Sequence, residues 1–313
     1  MRILVVGAGA IGGYFGGRLL QAGRDVTFFV RPRRREQLVS SGLSIRSPMG
    51  DADLPSPPTI ATEVVHEPFD LILLSCKSYD LDGAIESFAP AVGPRSVILP
   101  LLNGMRHLDV LDRRFGPDRV LGGLCIISSA LDSDGTIHHL NDLHTLIFGE
   151  RHHSQIERVA QIAKIFEGAR CDARSSSTIL HEMWEKWIFI AALAGITCLM
   201  RATIGDIVAA GGAGLAMSLL DECAAIATAA GFRPSEPSLE RSRAMLTTPG
   251  SSLAASMFRD IERGARTEGD HIIGDLLSRG IDHGVVTPVL RIADAHLRAY
   301  EERRKGARAK GAE

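Results

Sequence analysis

The chain has 313 residues, of which 45% are hydrophobic and 23% charged. That composition excludes wholesale disorder and suits two ordinary domains or one large one, long enough to bury a core without covalent staples. A formal net charge of −2 leaves no strong basic field for nucleic acid or an anionic membrane.

Residues 2–6 (RILVV) form a short β-branched run that ends in glycines, and residues 25–30 (DVTFFV) repeat it. Between them lies a helix-length segment, Ile11 to Gly23, so the pattern predicts a βαβ unit. The N-terminal twenty residues have the charge and apolarity of a signal peptide. Glycine at every second or third position fits strand, turn and helix better. Asp70 to Cys76 and Ser96 to Leu101 are continuous apolar runs, as expected of strands covered on both faces of a parallel sheet. Residues 120–150 break into extended pieces between turn residues and predict antiparallel strands. A helical stretch follows near Ile156 to Glu167.

From about Ser177 onward the pattern is helical. Met183 to Ala194, Leu215 to Ala230, Ser252 to Arg279 and Pro288 to Arg304 read as helices, the last opened by Thr287 as N-cap and Pro288 at the first position. Gly211, Gly212, Gly214, Pro234, Pro237 and Pro249-Gly250 read as breaks. The longest uncharged apolar run, Trp187 to Met200, holds 14 residues, too few to span a bilayer, and predicts a buried helix. The fold class is thus α/β, an N-terminal half with a parallel sheet followed by an all-α C-terminal half. The divisions expected are 1–174, 175–304 and a solvated tail at 305–313.

The five cysteines are Cys76, Cys125, Cys171, Cys198 and Cys223. Their odd number and lack of C-x-x-C spacing argue against a disulfide framework or zinc site and for a reducing, cytoplasmic setting. His138, His139, His144, His152 and His153 gather loosely in a strand-and-turn region without ligand spacing, so no metal is expected.

Gly7-Ala8-Gly9-Ala10-Ile11-Gly12 is G-x-G-x-x-G, placed after a predicted strand and opening a predicted helix. The glycines allow a tight turn, backbone approach to a pyrophosphate and close helix–strand packing, and the helix N-terminus offers N–H groups to phosphate. At the end of the second strand an Asp or Glu would bind a ribose 2′-OH. Here stand Val30-Arg31-Pro32-Arg33-Arg34-Arg35. Arg31 suits a 2′-phosphate, which points to NADP, and two of Arg33, Arg34 and Arg35 are expected to be solvated.

Six pieces in order carry a family resemblance: GAGAIG at 7–12, Arg31 after strand two, CKSYD at 76–80, LLNGM at 101–105, MWEKW at 183–187 and SMFRDIERGARTEGDHI at 256–272. Together they resemble the ketopantoate reductase (2-dehydropantoate 2-reductase) family over nearly the whole chain. The resemblance implies an NADP-dependent oxidoreductase acting on CH–OH groups, with the active site between a Rossmann-type and a helical domain. It implies reduction of ketopantoate to pantoate with NADPH, a step of pantothenate biosynthesis, in the cytoplasm. By that resemblance Lys186 is the proton donor, Asn103 touches cofactor and substrate, and Glu268 contacts the same region. Lys77 holds the adenosine phosphate end and Ser256 the substrate.

The residues agree in part. Asn103-Gly104 follows a strand run, where ligands of open α/β sheets sit. Lys186 is flanked by both tryptophans and is the one charge between Glu185 and Arg201. Unlike arginine, a partly desolvated lysine can serve as an acid near neutral pH.

Departures concern the pocket. Positions four and eight after Lys186 share its helical face. The family usually carries Asn at both, whereas here stand Ile190 and Ala194. Ile204 and Leu253 also replace polar residues. Lost polar groups relax selection for a substrate hydroxyl, so a bulkier, more apolar 2-keto acid is an alternative to ketopantoate. The other readings are a D-2-hydroxyacid dehydrogenase acting on branched or aromatic 2-keto acids, and a non-catalytic NADP-binding sensor. A homodimer through apolar helical faces is a further expectation, with no nucleic-acid or membrane partner. Ser256 and Glu268 would stand about 18 Å apart on one straight helix, so they are expected to touch different parts of the cofactor–substrate assembly.

Overall fold

The computed structural model describes residues 1–61, 65, 67–152 and 156–310. They form two compact units: Met1–Asn103 with His107–Leu180, and Gly104–Arg106 with the residues from His181 onward.

The first unit begins with β1 (Ile3–Val6), α1 (Ala10–Gln21), β2 (Val26–Phe29), α2 (Pro32–Ser41), β3 (Leu43–Arg46), β4 (Ala52–Leu54), β5 (Thr59–Ile60) and β6 (Phe69–Leu74). It continues with α3 (Leu81–Phe88), β7 (Val92–Pro100), α4 (Arg106–Phe115), β8 (Gly122–Leu131), β9 (Ile137–Gly149), α5 (Ile156–Phe166) and β10 (Asp172–Ser175). A parallel sheet runs β5-β2-β1-β6-β7. β1 lies at its centre with all four residues buried, which is why its sequence is apolar without alternation.

A second sheet runs β10-β9-β3-β4, with β8 antiparallel to β9. The β8–β9 pairing matches the extended pieces expected over 120–150. The short β3, β4 and β10 carry no such signal, because each has four residues or fewer and polar residues among them. Helix α1 lies against both sheets. A Cβ on Gly16 would come within 2.7 Å of Phe28 and 2.9 Å of Val5, and one on Gly17 within 2.9 Å of Ile45 and Leu43. Only a glycine face fits there. One continuous core joins Val5, Phe15, Phe28 and Leu71 to Ile45, Ile137, Leu146 and Phe148, with Ile162 and Phe166 of α5 against it.

The helix α6 (Ile179–Met200) enters the second unit, which continues with α7 (Ile204–Ala209), α8 (Ala213–Ala229), α9 (Glu236–Leu246), α10 (Ser256–Glu262), α11 (Asp275–Asp282) and α12 (Pro288–Lys310). With 22 residues, α6 is longer than its uncharged run. By length and composition it could cross a bilayer, but 67% of its apolar window is buried in the protein.

Ser252 to Arg279 is not one helix. Helix α10 stops at Glu262, where Gly264 takes φ +65°. Gly264 N–H donates to Ile261 O and Ala265 N–H to Asp260 O, the paired bonds of a glycine-terminated helix end. A π-turn, Asp270–Gly274, then leads into α11. Pro237 is not a break either: it sits in the first turn of α9 behind Ser235 at the N-cap, where proline costs no hydrogen bond. Helix α12 runs through residues 305–310, and Lys305 stays exposed beside Glu302.

Candidate active site

The glycine turn divides three tasks among three glycines. Gly7 takes φ +95°, a conformation that favours a residue without Cβ. Gly12 packs so closely that an added Cβ would lie 1.9 Å from Ser75 Oγ and 2.1 Å from Gly7 O. Gly9 is the N-cap of α1 without a side-chain cap, and an added Cβ there would meet nothing within 4 Å. Close packing on one side and open space on the other leave the first N–H groups of α1 available to an anion. Ala8 is buried, and Ala10 and Ile11 are half-buried at the start of the helix.

Two side chains that the sequence did not mark hold this turn. Ser75, at the end of β6, donates its hydroxyl to Val6 O and Gly7 O at 3.0 and 2.9 Å. Half-buried Arg34 donates to Ala8 O at 3.0 Å, Gln37 Oε1 at 2.6 Å and Gly135 O at 3.2 Å. Burial lowers its pKa. Arg34 thus ties the turn to the β8–β9 connection, while Arg33 and Arg35 are exposed, in line with two of the three being solvated.

Arg31 follows β2 and is exposed, with its Nη2 2.8 Å from Asp80 Oδ1. That contact raises the Arg31 pKa. Lys77 is exposed just beyond β6, at the start of the 3-10 turn that ends at Asp80. Asn103 is half-buried beyond β7.

In the second unit, the residues around Lys186 on α6 have separate tasks. Met183, Trp184 and Trp187 are buried. Trp184 stacks on Phe232 with centroids 5.4 Å apart. Glu185 accepts from Ser235 N–H at 2.8 Å and from its hydroxyl at 2.6 Å, fixing the start of α9. Lys186 is half-buried. Ile190 is half-buried and Ala194 buried. Ile204 is fully buried, and its N–H donates to Leu253 O at 2.9 Å, so two of the positions that depart from the expected pocket pattern are direct neighbours. Ser256 is exposed as the first residue of α10, and Glu268 is half-buried two residues before the π-turn.

Several of these segments meet on that π-turn. Trp187 Nε1 donates to Ile272 O at 3.0 Å. Gly104, at φ +78°, packs so that a Cβ would lie 3.0 Å from His271. Arg106 donates to Asp270 Oδ2 at 2.5 Å and to Asp270 O at 3.1 Å. The turn beside Glu268 is therefore held both from the α6 motif and from the residues after Asn103. Bulges of this kind recur at functional sites.

Elsewhere in the first unit, buried His139 and His144 stack with centroids 5.5 Å apart. Tyr14 Oη lies 2.7 Å from His144 Nδ1, and Ser47 Oγ 2.9 Å from His139 Nδ1. Burial lowers the His144 pKa. These histidines pack structurally. Among the described residues no three metal-binding side chains gather, and His153 lies outside those residues. None of the five cysteines forms a disulfide. Burial pushes the Cys171 and Cys198 thiols up to about 12 and Cys223 higher still.

A parallel sheet with this turn, followed by a helical unit, defines a Rossmann-type protein with an all-α C-terminal part. Comparison with known proteins narrows the class. The family described as "Ketopantoate reductase PanE/ApbA" matches residues 3–153, and "Ketopantoate reductase PanE/ApbA C terminal" matches residues 178–301. The chain belongs to the ketopantoate reductase family, a family of oxidoreductases. It is 40% identical to "Uncharacterized oxidoreductase YkpB" of Bacillus subtilis, across 96% of this chain and 99% of the relative. A crystal structure of 2-dehydropantoate 2-reductase from Geobacter metallireducens superposes with a TM-score of 0.87 at 28% identity, covering 96% and 99% of the two chains. A D-mandelate dehydrogenase solved with NADH and anilino(oxo)acetate superposes with a TM-score of 0.88, covering 97% of this chain and all of the other. At 20% identity that likeness shows the fold alone.

Proposed function

We propose that the protein reduces a 2-keto acid to a 2-hydroxy acid with a reduced nicotinamide dinucleotide, NADPH being the form that Arg31 favours. The glycine turn fits the dinucleotide. The α1 N-terminus has no side-chain cap, the Gly9 side is open, and Gly12 and Ser75 close the other side. The N–H groups of Gly9, Ala10 and Ile11 would hold the pyrophosphate, with Gly7, Ala8 and Gly12 shaping the backbone. Arg31 and Lys77 would hold the adenosine phosphate end. The nicotinamide, when bound, supplies hydride to the substrate carbonyl carbon.

This chain's own residues do the rest. Lys186, protonated, hydrogen-bonds the carbonyl oxygen, stabilises the negative charge that builds on it and delivers the proton. Asn103 orients the carbonyl and carboxylate, Glu268 positions the reacting groups, and Ser256 contacts the substrate. The observation that carries this reading is Lys186 half-buried on α6, between tryptophans packed into the core and a glutamate committed to capping α9.

Two substrates are separated by a specific observation. Ketopantoate is the substrate that the family points to. Ile190 and Ala194 on the Lys186 face favour a bulkier, more apolar 2-keto acid, branched or aromatic. Cysteines outside disulfides suit a reducing cytoplasm, and self-association through apolar helical faces is part of the same reading. The test is NADPH oxidation against a panel of ketopantoate and bulkier 2-keto acids. Turnover of the apolar acids ahead of ketopantoate supports the second substrate class, efficient turnover of ketopantoate alone the first. No turnover of any 2-keto acid removes the reductase reading.

A further inference from the structure

The end of β2 lacks the acid that would accept a ribose 2′-OH, but the fold brings one from elsewhere. Asp80, 49 positions after Arg31 in the chain, closes the 3-10 turn beyond β6 and meets the Arg31 guanidinium at 2.8 Å. The sheet order is β2-β1-β6, so β1 separates the strands that carry this pair. Neighbouring strands lie about 4.8 Å apart, which sets β2 and β6 roughly 10 Å from each other. The ion pair therefore reaches past the carboxyl end of β1, where the glycine turn begins and where such sheets bind dinucleotides. The Asp80 side chain is 29% exposed and that of Arg31 76%. The acid is the fixed member and the guanidinium the adaptable one.

We propose that Asp80 sets the coenzyme selectivity of this chain, accepting a hydrogen bond from an unphosphorylated ribose and sharing Arg31 with a 2′-phosphate, so that the site takes both NADH and NADPH. The inference rests on the dinucleotide reading of the glycine turn. Arg31 has five N–H donors in a planar fork, enough for a carboxylate on one edge and a phosphate on another. A phosphate placed there stands close to the Asp80 carboxylate, and the two anions repel. An unphosphorylated ribose meets no such repulsion and offers a donor to the acid. Asp80 thus weakens binding of the phosphorylated form and strengthens that of the other.

The test is direct binding, by titration of the purified full chain with NADPH and with NADH, without substrate. Wild type is expected to bind the two within about tenfold of each other. Asp80→Asn, which keeps the shape and removes the charge, is expected to tighten NADPH and weaken NADH, moving their ratio by about tenfold, or about 1.4 kcal/mol. Arg31→Met is expected to weaken NADPH about tenfold with little effect on NADH. Asp80→Glu, which retains the charge, is expected to keep both dinucleotides bound, and its melting curve checks folding independently. With both dinucleotides bound, an unmoved ratio in Asp80→Asn overturns the inference alone. A wild type that binds NADPH more than about a thousandfold tighter also overturns it. Failure of wild type to bind either dinucleotide overturns the proposed function together with the inference.

Discussion

The two units carry their candidate site residues differently. In the first, six consecutive residues from Gly7 to Gly12 make a turn that offers backbone atoms, while Arg31, Lys77 and Asn103 follow separate strands. In the second, Lys186, Ser256 and Glu268 lie on a long helix, at the start of a short one and beside a π-turn. A site made of backbone is written in contiguous sequence. A site made of side chains on separate elements depends on how those elements end and pack.

The largest effect expected on this contrast comes from Lys186→Ala. With Lys186 as the proposed proton donor, kcat is expected to fall by about 10²–10⁴-fold, with KM changed little. Unchanged kcat in steady-state NADPH oxidation would refute the role. The turn is tested by two glycines with opposite surroundings. Gly12→Ala forces a Cβ onto Ser75 Oγ and Gly7 O and is expected to destabilise the first unit by about 1–3 kcal/mol and to abolish dinucleotide binding. Gly9→Ala has room, so its melting temperature should match wild type while dinucleotide affinity falls. Equal melting losses in the two variants would remove the distinction drawn between these glycines.

Trp187→Phe keeps an aromatic ring but loses the pyrrole part of the indole, and with it the bond to Ile272 O. A stability loss of about 1–3 kcal/mol is expected in chemical denaturation, with a further fall in kcat because the π-turn adjoins Glu268. The smallest effect concerns pH. Burial lowers the pKa of His144 in the first unit and of His296 in the second. The unfolded chain then binds more protons than the folded one. Their contribution to stability is complete above the ordinary imidazole value, about 6.5, and declines as pH falls below it. His144→Gln should flatten the fall of melting temperature between neutral and mildly acidic pH. An identical profile would assign the effect to other groups.

Much of the first unit was legible in the sequence. β1, β2, β6 and the second half of β7 are mainly apolar runs, and the turn after β1 has a spacing that few other structures need. β3, β4 and β10 escaped because a strand of three or four part-polar residues is specified by its partner rather than by its own pattern. Ser75, Arg34 and Asp80 escaped for a related reason: each acts on a residue far away in the chain, and no local spacing records that. In the second unit helices could be read but not their breaks. Gly264 lies inside a stretch that reads as one long helix, and Pro237, which reads as a break, stands in the first turn of a helix. Lys186 stood out through its isolation among apolar residues. Ser256 and Glu268 rested on the family resemblance, since neither has a local signature.

The glycine face of α1 has one more consequence. Val5 and Phe28 press on one side of this rod, Leu43 and Ile45 on the other, with no long side chain between to cushion a shift. A ligand that clamps the rod at its amino end damps its motion along the whole length. Amide hydrogens of β3 and β4 should then exchange with solvent more slowly when the turn is occupied.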